Sequence, residues 1–239
     1  MNEPIVISEA SGVVAIRKPP GLATQAPPGI PSVETWLRAR LHGGDPRGYV
    51  GVPHRLDRAV SGVLLMAATP RAARKLSRQF ERREVTKTYL AIVAGGAAEP
   101  PPDGAGTTWC DMVEKVVGEA RSRIVTADAA GGREAMTRVW RLPASGSTSD
   151  ELLLRLEPQT GRMHQLRLQG AARGLPIVGD TLYGGRSLSP PSEAGREQPI
   201  LLHAWRISYA DPDTGERLAI EATLPPYWPA WAVSSCAGA

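Results

Sequence analysis

The sequence predicts an α+β fold, with a large, mixed and mainly antiparallel central sheet flanked by helices and loops. Three observations carry this. Segments with strand alternation or short apolar runs outnumber helical ones. The helical segments fall between groups of strands instead of alternating with single strands. No repeat at the ~20–50-residue period of a solenoid or propeller is visible.

The elements follow in chain order. "VVAIRK" (Val13–Lys18) reads as a strand that ends where Pro19-Pro20-Gly21 removes ladder donors and turns the chain. "SVETWLRARL" reads as a helix with Ser32 at its N-cap and Trp36, Leu37 and Leu41 at helical spacing; Thr35 stands where a full capping box has Glu or Gln. "HGGDPRGY" is a loop. Gly62–Ala68, "GVLLMAA", is short and continuously apolar, as in a strand buried on both faces. Thr69 and Pro70 then open a basic helix, with Ala72, Leu76 and Phe80 on one stripe and Arg71, Arg74, Lys75, Arg78, Arg82 and Arg83 elsewhere.

"TKTYLAIVAG" alternates Tyr89, Ala91 and Val93 against Leu90 and Ile92. Residues 97–107 and 187–199 read as loops, residues 109–142 as several short strands, and "ELLLRLEP" as another strand. "TGRMHQLRLQGAARG" reads as a turn into a helix that stops at Gly174. "ILLHAWRISYAD" and "RLAIEATLP" make a hairpin through "PDTGE".

Composition narrows the function classes. Lys and Arg number 28 against 24 Asp and Glu, a net charge of +4, which favours a polyanionic partner over an acidic-patch binder. Cys110 and Cys236 lie far apart with no CxxC pair, and four scattered histidines have no metal-ligand spacing. The N-terminus lacks a signal-peptide pattern, and no run approaches the ~20 apolar residues of a membrane span. The expectation is a cytoplasmic monomer without membrane, metal or cofactor.

Two segments concentrate chemistry. In "VPHRLDRAVSG", Asp57 lies between Arg55 and Arg58. Neighbouring positive charge favours the carboxylate over the acid, which suits a nucleophile, a general base or an electrostatic stabiliser; a structural salt bridge at a strand end satisfies the same pattern. In "LEPQTGRMHQLRL", Gly161 allows close backbone approach and Arg162 offers a planar fork for a carboxylate or phosphate. His164 is a candidate base or a packed, hydrogen-bonded core residue. A hydrolase using Asp57 and His164 is one reading of these residues.

Together the segments resemble the RluA-type pseudouridine synthases. "HRLDRAVSGVLLMA" is similar to that family's HRLDxxTSG signature, "KTYLAIVAG" to its K-x-Y strand, and "TGRMHQLRLQGAARGLPIVGDTLYG" to its TGRTHQIR…GDxxYG segment. "AIRKPPGL" and "LLHAWRISYADPDTGERLAIEATLP" resemble its first and last elements, so the matches run in order from about Val13 to Pro225. Val60, Met163 and Arg17 depart from the usual Thr, Thr and Asn, which bears on substrate choice.

The resemblance implies a pseudouridine synthase fold in a single catalytic domain, 1–239 with its core at about 13–228. It also implies that no S4-type RNA-binding domain fits ahead of that core. The implied activity is cofactor-independent isomerisation of a uridine in ribosomal or transfer RNA. Asp57 matches the catalytic aspartate, Arg162 the arginine that pairs with it, and Tyr89 the tyrosine against the target base. Arg55 matches a residue that fills the stack of a flipped-out nucleotide. His54, Lys18, Lys87, His164 and Arg167 are the remaining expected substrate contacts, and the arginines of the basic helix are candidates for phosphate binding. An RNA-binding protein on the same fold that has lost catalysis is the alternative from another class.

Overall fold

The structure is a computed structural model that describes residues 3–43, 45–95, 106–143, 150–188 and 198–236. Along the chain lie β1 (Ile5–Ala10), β2 (Val13–Lys18), α1 (Val33–His42), β3 (Ser61–Ala67), α2 (Pro70–Glu81), β4 (Thr86–Ala94), β5 (Thr107–Lys115), β6 (Ser122–Val125), β7 (Arg133–Leu142), β8 (Glu151–Pro158), α3 (Gln165–Ala172), a 3-10 turn (Thr181–Tyr183), β9 (Leu202–Ala210), β10 (Arg217–Glu221) and α4 (Ala230–Cys236). The strand-rich α+β composition is the one the sequence predicts. The chain divides into two compact units, Met1–Lys87 with His203–Thr223, and Thr88–Leu202 with Leu224–Ala239.

In the first unit β1, β2 and β3 pair antiparallel, and β10 pairs antiparallel with β9. β3 meets β9 in parallel at Ser61↔His203 and Gly62↔Ala204, which makes the sheet mixed. All seven residues of β3 are buried, as its continuous apolar run predicts. Each such aliphatic side chain contributes roughly 1.5–3 kcal/mol on leaving water. α2 begins as read from the sequence: the Thr69 hydroxyl accepts from the Ala72 amide at 3.2 Å and Pro70 occupies the first turn. Ala72 and Leu76 are buried, while Phe80 is half-buried and stacks on the His54 ring at 4.5 Å.

Three features differ from the sequence reading. β1 was not expected; Ser11 and Gly12, both at positive φ (51° and 71°), make the two-residue turn that returns the chain into β2. α1 has a complete capping box, because the Thr35 hydroxyl accepts from the Ser32 amide at 2.9 Å and so does what a Glu or Gln would do. α4 was also not expected.

In the second unit β4, β8, β7, β5 and β6 follow one another antiparallel. The alternating residues of β4 are buried on both sides from Leu90 to Val93. α3 contributes Leu168 to a cluster with Val113 and Ala135, and the helix region ends at Gly174 in the left-handed conformation, as predicted. Within the predicted loops, residues 97–105 and 189–197 lie outside the described residues.

Candidate functional site

Asp57 is half-buried in the segment between Gly51 and β3, and its neighbours on both sides are fixed. On the N-terminal side, the Thr24 hydroxyl lies 3.0 Å from the Leu56 carbonyl and 3.1 Å from the Leu56 amide. It donates to the first and accepts from the second. On the C-terminal side, the Arg58 carbonyl accepts from the Gly21 amide at 2.8 Å and from Lys18 Nζ at 3.2 Å. Arg58 Nε returns a bond to the Gly21 carbonyl at 2.9 Å. The Asp57 carbonyl closes a turn by accepting from the Val60 amide at 3.1 Å. The Pro-Pro-Gly turn after β2 is therefore the brace of the Asp57 loop.

The expected RNA contacts in this unit are placed unequally. Arg55 is exposed. Lys18 is fully buried, and its ammonium donates to the carbonyls of Pro19 (2.9 Å), Leu22 (2.8 Å) and Arg58. A cation spent on carbonyls holds a turn; it does not reach a phosphate.

His54 is half-buried and engaged by the fold. Its Nε2 accepts from the Leu65 amide at 2.9 Å, capping a β3 donor beyond the two residues that β9 pairs. A backbone amide only donates, so Nε2 carries a lone pair and the proton sits on Nδ1. Burial, aided by the Lys87 charge, pushes this imidazole down to about 3, so it is neutral near pH 7. His54, expected as a substrate contact, here supports the backbone of β3. Lys87 is half-buried at the start of β4, and burial lowers its amine to about 8.

In the second unit Tyr89 is half-buried on β4, opposite Leu156 of β8. Arg162 is half-buried in the turn between β8 and α3, and its Nε donates to the Glu134 carbonyl at 2.9 Å. That turn depends on Gln165, a residue the motif contains but the sequence reading gave no role. Gln165 Oε1 accepts from the Thr160 hydroxyl (2.7 Å) and the Arg162 amide (3.1 Å), while Nε2 donates to the Met136 carbonyl and the Thr137 hydroxyl.

His164 sits at the N-cap of α3 with φ 56°, its Nδ1 3.0 Å from the Tyr183 hydroxyl. Arg167, 1% exposed, grips Asp180 through Nε (2.7 Å) and Nη2 (2.8 Å). The expected substrate contact at Arg167 is thus an internal ion pair that ties α3 to the 3-10 turn.

The departures from the family pattern fall in different surroundings. Val60 is buried, so its apolar side chain serves packing. Arg17 Nη1 donates to the Thr223 hydroxyl at 2.5 Å, and Met163 is half-buried. Among the described residues no cluster of His, Cys, Asp and Glu has a metal-binding arrangement, and no helix is long and apolar enough to cross a membrane.

Known proteins resemble this chain in sequence and in fold. A family model described as RNA pseudouridylate synthase matches residues 12–172. The ribosomal large subunit pseudouridine synthase C of Rickettsia prowazekii is 33% identical over 227 residues, covering 93% of this chain and 69% of the relative. The D enzyme of Vibrio cholerae is 31% identical over 232 residues, covering 92% and 67%. Among solved structures, Human RNA Pseudouridylate Synthase Domain Containing 4 superposes with a TM-score of 0.70 at 23% identity, over 93% of this chain and 89% of that one. Human RNA Pseudouridylate Synthase Domain Containing 1 gives 0.69 at 25%, over 94% and 86%. The fold is a pseudouridine synthase fold, and the chain belongs to the RNA pseudouridylate synthase family.

Proposed function

We propose that this chain isomerises a uridine of ribosomal RNA to pseudouridine, with Asp57 acting on the ribose. The observation that carries the reading is the family match over residues 12–172, which contains Asp57, Tyr89 and Arg162, with Asp57 on a loop braced from both sides. The names of the ribosomal large subunit relatives support ribosomal RNA as the substrate.

The reaction balances within the substrate. The bond from uracil N1 to ribose C1′ breaks, the uracil turns, carbon 5 bonds to C1′, and the proton on carbon 5 leaves while N1 gains one. No oxidant, reductant or outside acceptor enters. The Asp57 carboxylate takes one of two routes: it bonds to C1′ and is displaced by carbon 5, or it removes the ribose 2′ proton to give a glycal. Arg162 is the guanidinium partner proposed for that carboxylate, Tyr89 the stacking surface for the base, and Arg55 the group that fills the vacated stack. Extruding a base costs roughly a few kcal/mol, which contacts to the backbone offset. The chain is proposed to act in the cytoplasm as a monomeric, single catalytic domain without metal or cofactor.

The test is tritium release from large-subunit ribosomal RNA transcribed with label on uracil carbon 5. Release by the intact chain, lost in Asp57→Asn with RNA affinity preserved, is the expected result. Full release by Asp57→Asn would overturn the role given to that residue. RNA binding without release by the intact chain would overturn the activity.

A further inference from the structure

On its N-terminal side the loop carrying Asp57 is held by the His54 ring on Leu65 and, immediately before Asp57, by the Thr24 hydroxyl. Thr24 is 3% exposed, and its one hydroxyl meets both polar groups of the Leu56 backbone, the residue just before Asp57. A hydroxyl has one proton to give and lone pairs to accept with, so Thr24 does for Leu56 what a neighbouring strand would do for one residue. Leu56 is itself buried, so its peptide groups need internal partners.

Thr24 is in turn fixed from behind. Its carbonyl accepts from the Glu34 amide at 3.0 Å, and the Ala23 carbonyl accepts from the Val33 amide at 2.9 Å. These are amides of the first turn of α1, which have no partner within their own helix. A continuous path of hydrogen bonds thus runs from the start of α1 through the Thr24 backbone and hydroxyl to Leu56, and by one peptide bond to Asp57.

We propose that the Thr24 hydroxyl is a positioning residue for Asp57, setting the direction of its carboxylate through the backbone of Leu56. The inference rests on the catalytic role proposed for Asp57. Valine matches threonine in shape but has neither donor nor acceptor. Thr24→Val frees the Leu56 peptide to rotate, and misplacement of a reacting group by about 1 Å costs roughly 100-fold in rate. RNA contacts elsewhere on the chain are untouched by such a change.

The experiment measures kcat and KM for tritium release from carbon-5-labelled large-subunit ribosomal RNA, alongside thermal unfolding of each variant. Thr24→Val is expected to lower kcat about 10- to 100-fold with KM within about twofold. Thr24→Ser, which keeps the hydroxyl, is expected to restore kcat. Thr24→Cys, with a weaker donor, is expected to fall between them and decides the matter if the valine variant does not fold. A valine variant with kcat within twofold of the parent overturns the inference, as does a serine variant as slow as valine. A change confined to KM also overturns it. If the parent chain releases no tritium, the proposed function itself has failed; if the parent turns over and the Thr24 series is flat, only the positioning role has.

Discussion

Ser61 and His203 face each other across the parallel junction of β3 and β9, with the serine hydroxyl 2.8 Å from Nδ1 of the imidazole. The other ring nitrogen, Nε2, lies 3.0 Å from the Ala222 carbonyl, which only accepts. Nε2 therefore carries the proton and Nδ1 accepts from Ser61. The pair has the look of a nucleophile and its base, but both residues are buried and the ring holds three segments together. Burial pushes His203 down to about 4. NMR is expected to find a neutral Nε2–H tautomer at pH 7, and an imidazolium there would contradict this bonding pattern.

A pH-dependent stability follows from His203 and His54 together. Unfolded, each ring takes up a proton near 6.5; folded, they resist until about 4 and about 3. Below pH 6.5 the unfolded chain binds more protons, so stability is full above that pH and declines as pH falls towards the folded values. Between pH 7.5 and 5 the two rings together are expected to remove up to about 4 kcal/mol, most of it below pH 6.5. Urea unfolding at several pH values checks this. His54→Gln should remove about half of the slope. A transition midpoint that does not move between pH 7.5 and 5 would refute the assignment.

Gly62 shows why the residue after Ser61 must lack a side chain. Its φ is 123°, and a Cβ there would lie 2.2 Å from the Ala204 carbonyl oxygen, a backbone atom of the paired strand. Either β9 retreats or the junction opens. Gly62→Ala is expected to cost about 2–4 kcal/mol through steric conflict and an unfavourable φ. Denaturant unfolding measures the loss, and a loss below about 1 kcal/mol would mean that β9 adjusts freely.

Arg167 and Asp180 form a two-bond ion pair with almost no solvent access. Removing one member strands the other as an uncompensated charge, which typically costs about 3–5 kcal/mol. Asp180→Leu and Arg167→Met are each expected to reach that range. The double variant Arg167→Met/Asp180→Leu is expected to recover part of it, since neither charge is then stranded. A double variant as unstable as the sum of the singles would show that the pair's coupling is negligible.

The sequence made the buried strands and capped helices legible because their signals are local. The apolar run of β3 and the Thr69-Pro70 start of α2 each depend on residues within a few positions. Asp57 and its flanking arginines were legible through resemblance, since charge pattern alone equally fits a salt bridge. Long-range commitments were hidden. Nothing near Lys18 announces that its ammonium will be spent on the Arg58 carbonyl, and nothing near His54 announces the Leu65 amide. A cation in a motif reads as a substrate contact until the fold shows which carbonyls surround it. The role of Thr24 is hidden in the sequence for the same reason, its partner lying 32 residues away.

The basic helix α2 gives the last prediction, because its charges are not equivalent. The Arg71 guanidinium pairs with Asp213 at 3.2 Å, the Lys75 ammonium bonds to the Pro212 carbonyl, and Arg82 lies 4.0 Å from Glu84. Those groups are drawn towards their own fold. Arg74 and Arg78 are exposed and one turn apart, a spacing that presents both guanidinium groups on one side of the helix. If they hold RNA phosphates, each neutralised phosphate releases counterions and steepens the salt dependence of binding. Arg74→Gln/Arg78→Gln is then expected to reduce the slope of log affinity against log salt by about 1.4–1.8, with little change in stability. Filter binding of large-subunit ribosomal RNA across a salt series measures it. An unchanged slope would assign both arginines to solvation alone and move the phosphate contacts elsewhere, Arg55 first among them.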